Sequence, residues 1–301
     1  MIFIILMKRK INLVGENTLT VSLPAEFVKK QNIKKGQEVD VEEQGNDLVI
    51  HTERRHELET VRADIDEIKP VSRRYVDALY KQGVDEIEIS YDRESDLNKI
   101  KEAISKEVGT FEIVKKSKGI CLIKSVSELD KKEQENLLKR TFMLLQEMLS
   151  DISEAYKKKS KSKLKDAIEL EKINNKLTHL LRRALNKQGN QNYKNTILLY
   201  LVIGQLEKAA DELRDLCLIA DLNSREVLKL LPDLKEFIDL FYKLFYNYNN
   251  QLASFFEVKG LEFNKKCKIL IKKSSSLEIH YLMNFVEIIY NLSGPIISLK
   301  A

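Results

Sequence analysis

Apolar residues follow two different periods along this chain, and the change of period divides it. Between Lys8 and Thr52 they alternate with polar ones: Ile11 and Leu13, then Leu19, Val21 and Leu23, then Val39 and Val41, then a run from Leu48 to Ile50. A period of two predicts short, half-buried strands. Gly15-Glu16-Asn17, Lys35-Gly36 and Gly45-Asn46 supply the turns, and Pro24 opens a short helix carrying Phe27 and Val28. Residues 53–69 are polar and charged and read as a linker with room for one strand. After it come a helix from Pro70 to Tyr80, a strand from Val84 to Tyr91 and a helix from Asp92 to Val108. A hairpin follows, from Phe111–Val114 to Ile120–Val126, turning at Lys118-Gly119. Residues 53–126 therefore predict a linker and a small α/β module, acting as a spacer, a dimerisation unit or a small-ligand sensor.

From Ser127 the spacing lengthens to three and four. Leu137, Thr141, Leu144, Met148 and Ile152 line a first helix, and the lysine-rich stretch from Lys157 to Lys163 separates it from a second. Leu170, Ile173, Leu177, Leu181 and Ala184 line that second helix, which Gln188-Gly189-Asn190 ends. The third, Asn195 to Leu222, carries Leu199, Leu206, Ala210, Leu213, Cys217 and Ala220 on one stripe. Phe241, Phe245, Tyr248, Leu252 and Phe255 line a fourth, with Pro232 near its start and a break at Lys259-Gly260. Shorter helices are expected from Leu261 to Lys272 and from Leu277 to Leu299, the last kinked or ended by Pro295. Six helices in a three-plus-three order predict a duplicated three-helix bundle over 127–301, with halves 127–222 and 223–301.

Composition narrows the functional classes. The chain has 301 residues, 43% hydrophobic and 32% charged, with a formal net charge of +5. That balance fits long amphipathic helices and permits polyanion binding. Cys121, Cys217 and Cys267 form no CxxC, and the four histidines show no metal-binding spacing, so each reads as a surface or half-buried ring. Scattered thiols point to a reducing, cytoplasmic setting. The opening MIFIILM is too short to span a bilayer and reads as a disordered or mis-annotated start ahead of Met7. No phosphate-cradling loop, nucleophile elbow or full metal shell is visible, so no enzyme is expected.

Residues 8–52 resemble the AbrB-type swapped-hairpin DNA-binding domain. The matching features are the basic start Lys8-Arg9-Lys10, the run TLTVSLP from Thr18 to Pro24, the short helix to Lys30, and IKKGQEVDV from Ile33 to Val41. The resemblance implies a dimer that interleaves hairpins and grips DNA with basic residues. Lys8, Arg9 and Lys10 are the expected DNA contacts, with Lys29, Lys30, Lys34 and Lys35 behind them; the alternative is a solvated basic rim on a dimerisation unit. A unit this small ordinarily needs a partner chain to complete its core.

The third helix is similar to the signature helix of the PhoU phosphate-uptake regulators, in which a Tyr-containing apolar run leads into LERIGDH. Here Tyr200-Leu201-Val202-Ile203 precedes Leu206-Glu207-Lys208-Ala209-Ala210-Asp211-Glu212, and Glu171 to Leu177 is similar to that family's DxxIDxL run. The combination looks like the archaeal form of these regulators. The resemblance implies a divalent or ferric ion held by E/D-x-x-x-D carboxylates, since residues i and i+4 share a helix face. Glu207 and Asp211 keep the pattern, whereas its copies read Glu171-x-x-x-Asn175 and Glu287-x-x-x-Asn291. Glu207, Asp211 and Glu171 are the candidate ligands; the alternative is an acidic edge paired with Arg182, Arg183 and Lys208.

The expected fold is thus α+β and multidomain: a small β-rich swapped-hairpin domain, a small α/β module, then a mostly α, PhoU-like duplicated bundle. The expected function is a non-enzymatic, cytoplasmic regulator of phosphate uptake. It binds DNA as a homodimer or higher oligomer, partners phosphate ABC-transporter subunits and does not insert into membranes. The alternative is a dimeric interaction or scaffold protein without specific DNA binding.

Overall fold

The alternating residues near the chain start fold into two separate hairpins. β1 (Ile11–Val14) pairs antiparallel with β2 (Thr18–Val21), which places Ile11 opposite Val21 and Leu13 opposite Leu19 on one face. Gly15 takes a φ of 70° in the turn, a conformation that favours glycine. α1 (Ala25–Lys30) follows Pro24, and then β3 (Asp40–Gln44) pairs with β4 (Asp47–His51). The expected half-burial of these strands is not met within one chain: Leu13 is 63% exposed and Leu19 67%. Their neighbours Ile11 and Val21 are equally open, and α1 contains no buried residue.

The computed structural model describes residues 8–44, 47–51, 60–68, 72–107, 110–117, 119–189 and 193–300. Residues 1–7, the Gly45-Asn46 turn, Pro70, Val108, Lys118 and Asn190 lie outside them. The chain divides into two compact units, Met1–Leu58 and Glu59–Ala301.

The second unit begins inside the stretch read as a linker. β5 (Thr60–Asp64) runs parallel to β6 (Glu86–Ser90), and α2 (Ile65–Ile68) and α3 (Ser72–Gln82) form the crossover that a parallel pair requires. After α4 (Glu94–Glu107), β7 (Phe111–Ser117) and β8 (Ile120–Ser125) form the hairpin. The strand order is β5-β6-β8-β7. Ile87 and Ile89 alternate inward on β6 and meet Tyr80, Leu97, Ile100 and Ile123.

The helical region runs α5 (Lys131–Lys158), α6 (Lys161–Gln188), α7 (Tyr193–Ile219), α8 (Arg225–Tyr246), α9 (Asn250–Ser274), α10 (Leu277–Tyr290) and α11 (Ser293–Lys300). Asp130 and Glu133 close a capping box at the start of α5. The lysine-rich break narrows to one left-handed residue, Lys159, followed by Ser160 at the start of α6. In the first half α5 packs on α6 and α6 on α7; in the second half α8 packs on α9 and α9 on α10. The halves meet through equivalent helices, α5 against α8 and α7 against α10. That is the arrangement of a duplicated three-helix bundle, with α11 folding back onto α7 and α9.

Three boundaries differ from expectation. The fourth helix does not reach Phe255, because Asn247 leaves helical geometry and the Asn249 side chain accepts from Leu252 N at 2.8 Å, opening a new helix. Lys259-Gly260 does not break α9. A Cβ on Gly260 would lie 2.5 Å from Tyr290 Cδ2, so this glycine admits a ring from α10. Pro232 sits well inside α8, on its exposed side. Leu277–Lys300 is long and apolar enough to cross a membrane. It is nevertheless two helices, and Ile279, Leu282, Phe285, Ile289 and Ile296 are buried in the bundle core.

Candidate functional site

The acidic ladder of α7 is divided between two different environments. Glu171, on α6, and Asp211 and Asp215, on α7, converge on Arg214. Its guanidinium donates to Glu171 Oε1 at 2.7 Å and to Asp215 Oδ1 at 2.8–2.9 Å, and it pairs with Asp211. Asn175, where the related pattern has an acid, donates its amide to Glu171 Oε1 at 2.7 Å. Burial pushes the Glu171 carboxyl up, Arg214 pulls it down, and its closeness to Asp211 leaves it raised overall. A cation entering here would meet a guanidinium already at its centre. Sequence reading did not single out Arg214, although its position three residues after Asp211 puts both on one helix face.

One turn earlier, Glu207 faces the α/β module instead. Glu207 Oε1 lies 3.1 Å from His179 Nε2, and Oε2 accepts from Arg182 at 3.0 Å. His179 Nδ1 in turn lies 3.1 Å from Asp77 Oδ1 on α3, and Asp77 pairs with Lys81 at 2.6 Å. Burial alone would raise the Glu207 carboxyl. The His179 hydrogen bond and the charges of His179, Lys81 and Arg182 outweigh it, and the carboxyl is held below the usual range. His179, expected as a surface or half-buried ring, is 1% exposed. Alone on α6 with no metal-like spacing, it carried no signal until α3 was placed against it.

Of the three basic partners proposed for the acids, only Arg182 pairs with one of them. Arg183 is buried and turned to the module. It donates to the carbonyls of Tyr80 at 3.2 Å and Val84 at 2.5 Å and to Asp85 at 2.9 Å. Burial, only partly offset by Asp85, lowers its pKa. Lys187 adds bonds to Asp85 and Glu128, each at 2.5 Å. Lys208 lies in a groove of about 530 Å³ between α7 and α10, with Glu212, Glu287 and Asn291. The module is therefore fastened to α6 by ion pairs, with Arg183 buried at their centre.

The metal expectation does not fit this donor set. Glu207 is separated from Asp211 and Glu171 by its partners, and the latter two are both bound to Arg214. Among the described residues, no group of three or more His, Cys, Asp or Glu side chains is arranged to hold a metal ion.

Residues 138–220 match the PhoU domain. The match runs from within α5 to just past α7, so it covers one three-helix half and both acid clusters. Residues 13–57 match a second family model, described as antidote-toxin recognition MazE, bacterial antitoxin, a MazE/AbrB-type domain. That match begins just after Lys8, Arg9 and Lys10. Comparison with curated proteins and with solved structures found no match. A MazE/AbrB-type unit followed by a PhoU domain is the architecture read from the sequence. In the first unit Lys8, Arg9, Lys10, Lys29, Lys30, Lys34 and Lys35 are all exposed. None of the seven pairs with a carboxylate among the described residues.

Proposed function

We propose that this chain is a non-enzymatic, cytoplasmic regulator of phosphate homeostasis that binds DNA as a dimer and relays phosphate status through its PhoU domain. Both matched families are regulatory, the PhoU domain pointing to phosphate homeostasis and the MazE/AbrB-type domain to DNA binding. The observation that carries the reading is the open apolar face of β1 and β2, joined in one chain to a PhoU domain. Ile11, Leu13, Leu19 and Val21 are exposed among the described residues, and a second copy of the hairpin supplies an apolar face of the same shape. Lys8, Arg9 and Lys10, directly ahead of β1, then come in symmetric pairs suited to the phosphates of a duplex, with Lys29, Lys30, Lys34 and Lys35 as weaker contacts. The helical domain would act on subunits of a phosphate transporter.

DNA titrations over a range of salt concentrations test this reading. Intact protein should bind with an affinity that falls steeply as salt rises. Neutralising Lys8, Arg9 and Lys10 together should make the log–log slope shallower by about three, or about six for a dimer engaging both copies. An unchanged slope removes the role given to these residues. Equal affinity for DNA and another polyanion at physiological salt would favour the scaffold reading, which the same exposed hairpin face also supports.

A further inference from the structure

Helix α9 is apolar on two opposite sides. Its inner side, carrying Phe256, Phe263 and Cys267, is buried in the bundle core. By the helical period Val258, Leu261, Lys265, Ile269 and Lys272 share the outer side. Val258 is 47% exposed, Leu261 57% and Ile269 47%. A helix whose inner face is already covered has no folding reason to place three large aliphatic residues in water, so this outer side reads as an interaction surface.

The charges on the same face identify the occupant. From Val258 to Lys273 the sequence holds six lysines and one acid, Glu262. Lys259 and Lys266 are tied back to α8, through Glu236 at 3.0 Å and Asp233 at 2.7 Å. Lys265, Lys268 and Lys272 have no carboxylate partner among the described residues. They line an open depression of about 410 Å³ together with Leu261 and Ile269. A second copy seated here would set lysines against lysines. A nucleic-acid backbone would satisfy the lysines but offer nothing to Val258, Leu261 and Ile269. A surface that is acidic on the outside and apolar just beneath satisfies both sets.

We propose that the outer face of α9 docks the bundle on an anionic lipid surface. The helix lies parallel to the plane, with Val258, Leu261 and Ile269 entering the headgroup boundary and Lys265, Lys268 and Lys272 meeting acidic headgroups. This docking is peripheral, and it does not depend on the DNA-binding reading of the first unit.

Co-sedimentation of the full chain with vesicles tests it. Vesicles of phosphatidylcholine containing phosphatidylglycerol should bind the protein, and vesicles of phosphatidylcholine alone should bind it far less. Lys265→Gln/Lys268→Gln/Lys272→Gln should weaken binding by about tenfold or more. Leu261→Ser/Ile269→Ser should also weaken it, a loss that attraction between charges alone does not produce. Lys8→Gln/Arg9→Gln/Lys10→Gln should leave most of the binding in place, which separates α9 from the basic first unit. Wild-type vesicle binding by both α9 variants overturns the proposal. So does a pattern in which those variants lose affinity for duplex DNA or polyglutamate but not for vesicles.

Discussion

At Arg214 one guanidinium faces three carboxylates, and one of them, Glu171, is almost wholly buried. Removing a charge's partner in a buried site leaves that charge desolvated, at a typical cost of 3–5 kcal/mol. Arg214 is itself partly exposed, so Arg214→Ala is expected to cost about 3 kcal/mol, read as a lowered denaturation midpoint. The same variant frees Glu171, Asp211 and Asp215. Added Mn²⁺ should then raise its melting temperature while leaving that of the unaltered protein where it was. His179 gives a second residue-level prediction. The Glu207 carboxyl is held below its ordinary value, so its contribution to stability is present above the unfolded-state pKa and lost as pH falls through the lower, folded-state one. Stability should therefore fall with acid below about pH 4.5. In His179→Gln the main bond holding Glu207 ionised is gone and burial is the leading influence. The difference in stability between the two proteins should then shrink as pH is lowered through that range, as measured by denaturant titration at each pH.

At the scale of elements, the long helices were legible because their apolar stripes are long and their caps local. The Gln188-Gly189 stop marks a helix end by short-range chemistry, as Asp130 with Glu133 does at the start of α5, although that cap was not singled out in the sequence. The break at Asn247–Asn249 was not legible, because Phe241, Phe245, Tyr248, Leu252 and Phe255 keep a helical spacing straight across it. Gly260 misled in the opposite direction: its role is to leave room for Tyr290, which is distant in sequence. Gly260→Ala should therefore destabilise the protein by about 1–3 kcal/mol despite alanine's better helix propensity, because the new methyl meets a packed ring. Replacing Tyr290 with Leu in the same chain should recover part of that loss in thermal unfolding. The acidic ladder was legible as a pattern but not as a site. Whether Glu207 and Asp211 share a cation or take separate partners depends on Asp77, Lys81 and Arg214, whose positions only packing sets.

At the scale of the molecule, both resemblances read from the sequence are matched by family models, and the helical halves meet as a duplication requires. The fastening of the α/β module to α6 was not legible, since Arg183, Asp85, His179 and Asp77 are far apart along the chain. That fastening makes the module and the bundle one structural unit, in which Glu207 and His179 link α7 to Asp77 on α3. The first unit poses the opposite problem, an apolar surface left exposed among the described residues. The central claim is that a second copy covers it, and sedimentation equilibrium of the full chain tests this most directly. The account predicts twice the 35.0 kDa chain mass, falling to the single-chain mass when Leu13 and Leu19 are both replaced by Asp. A single-chain mass for the unaltered protein, or a dimer indifferent to those two substitutions, would contradict it.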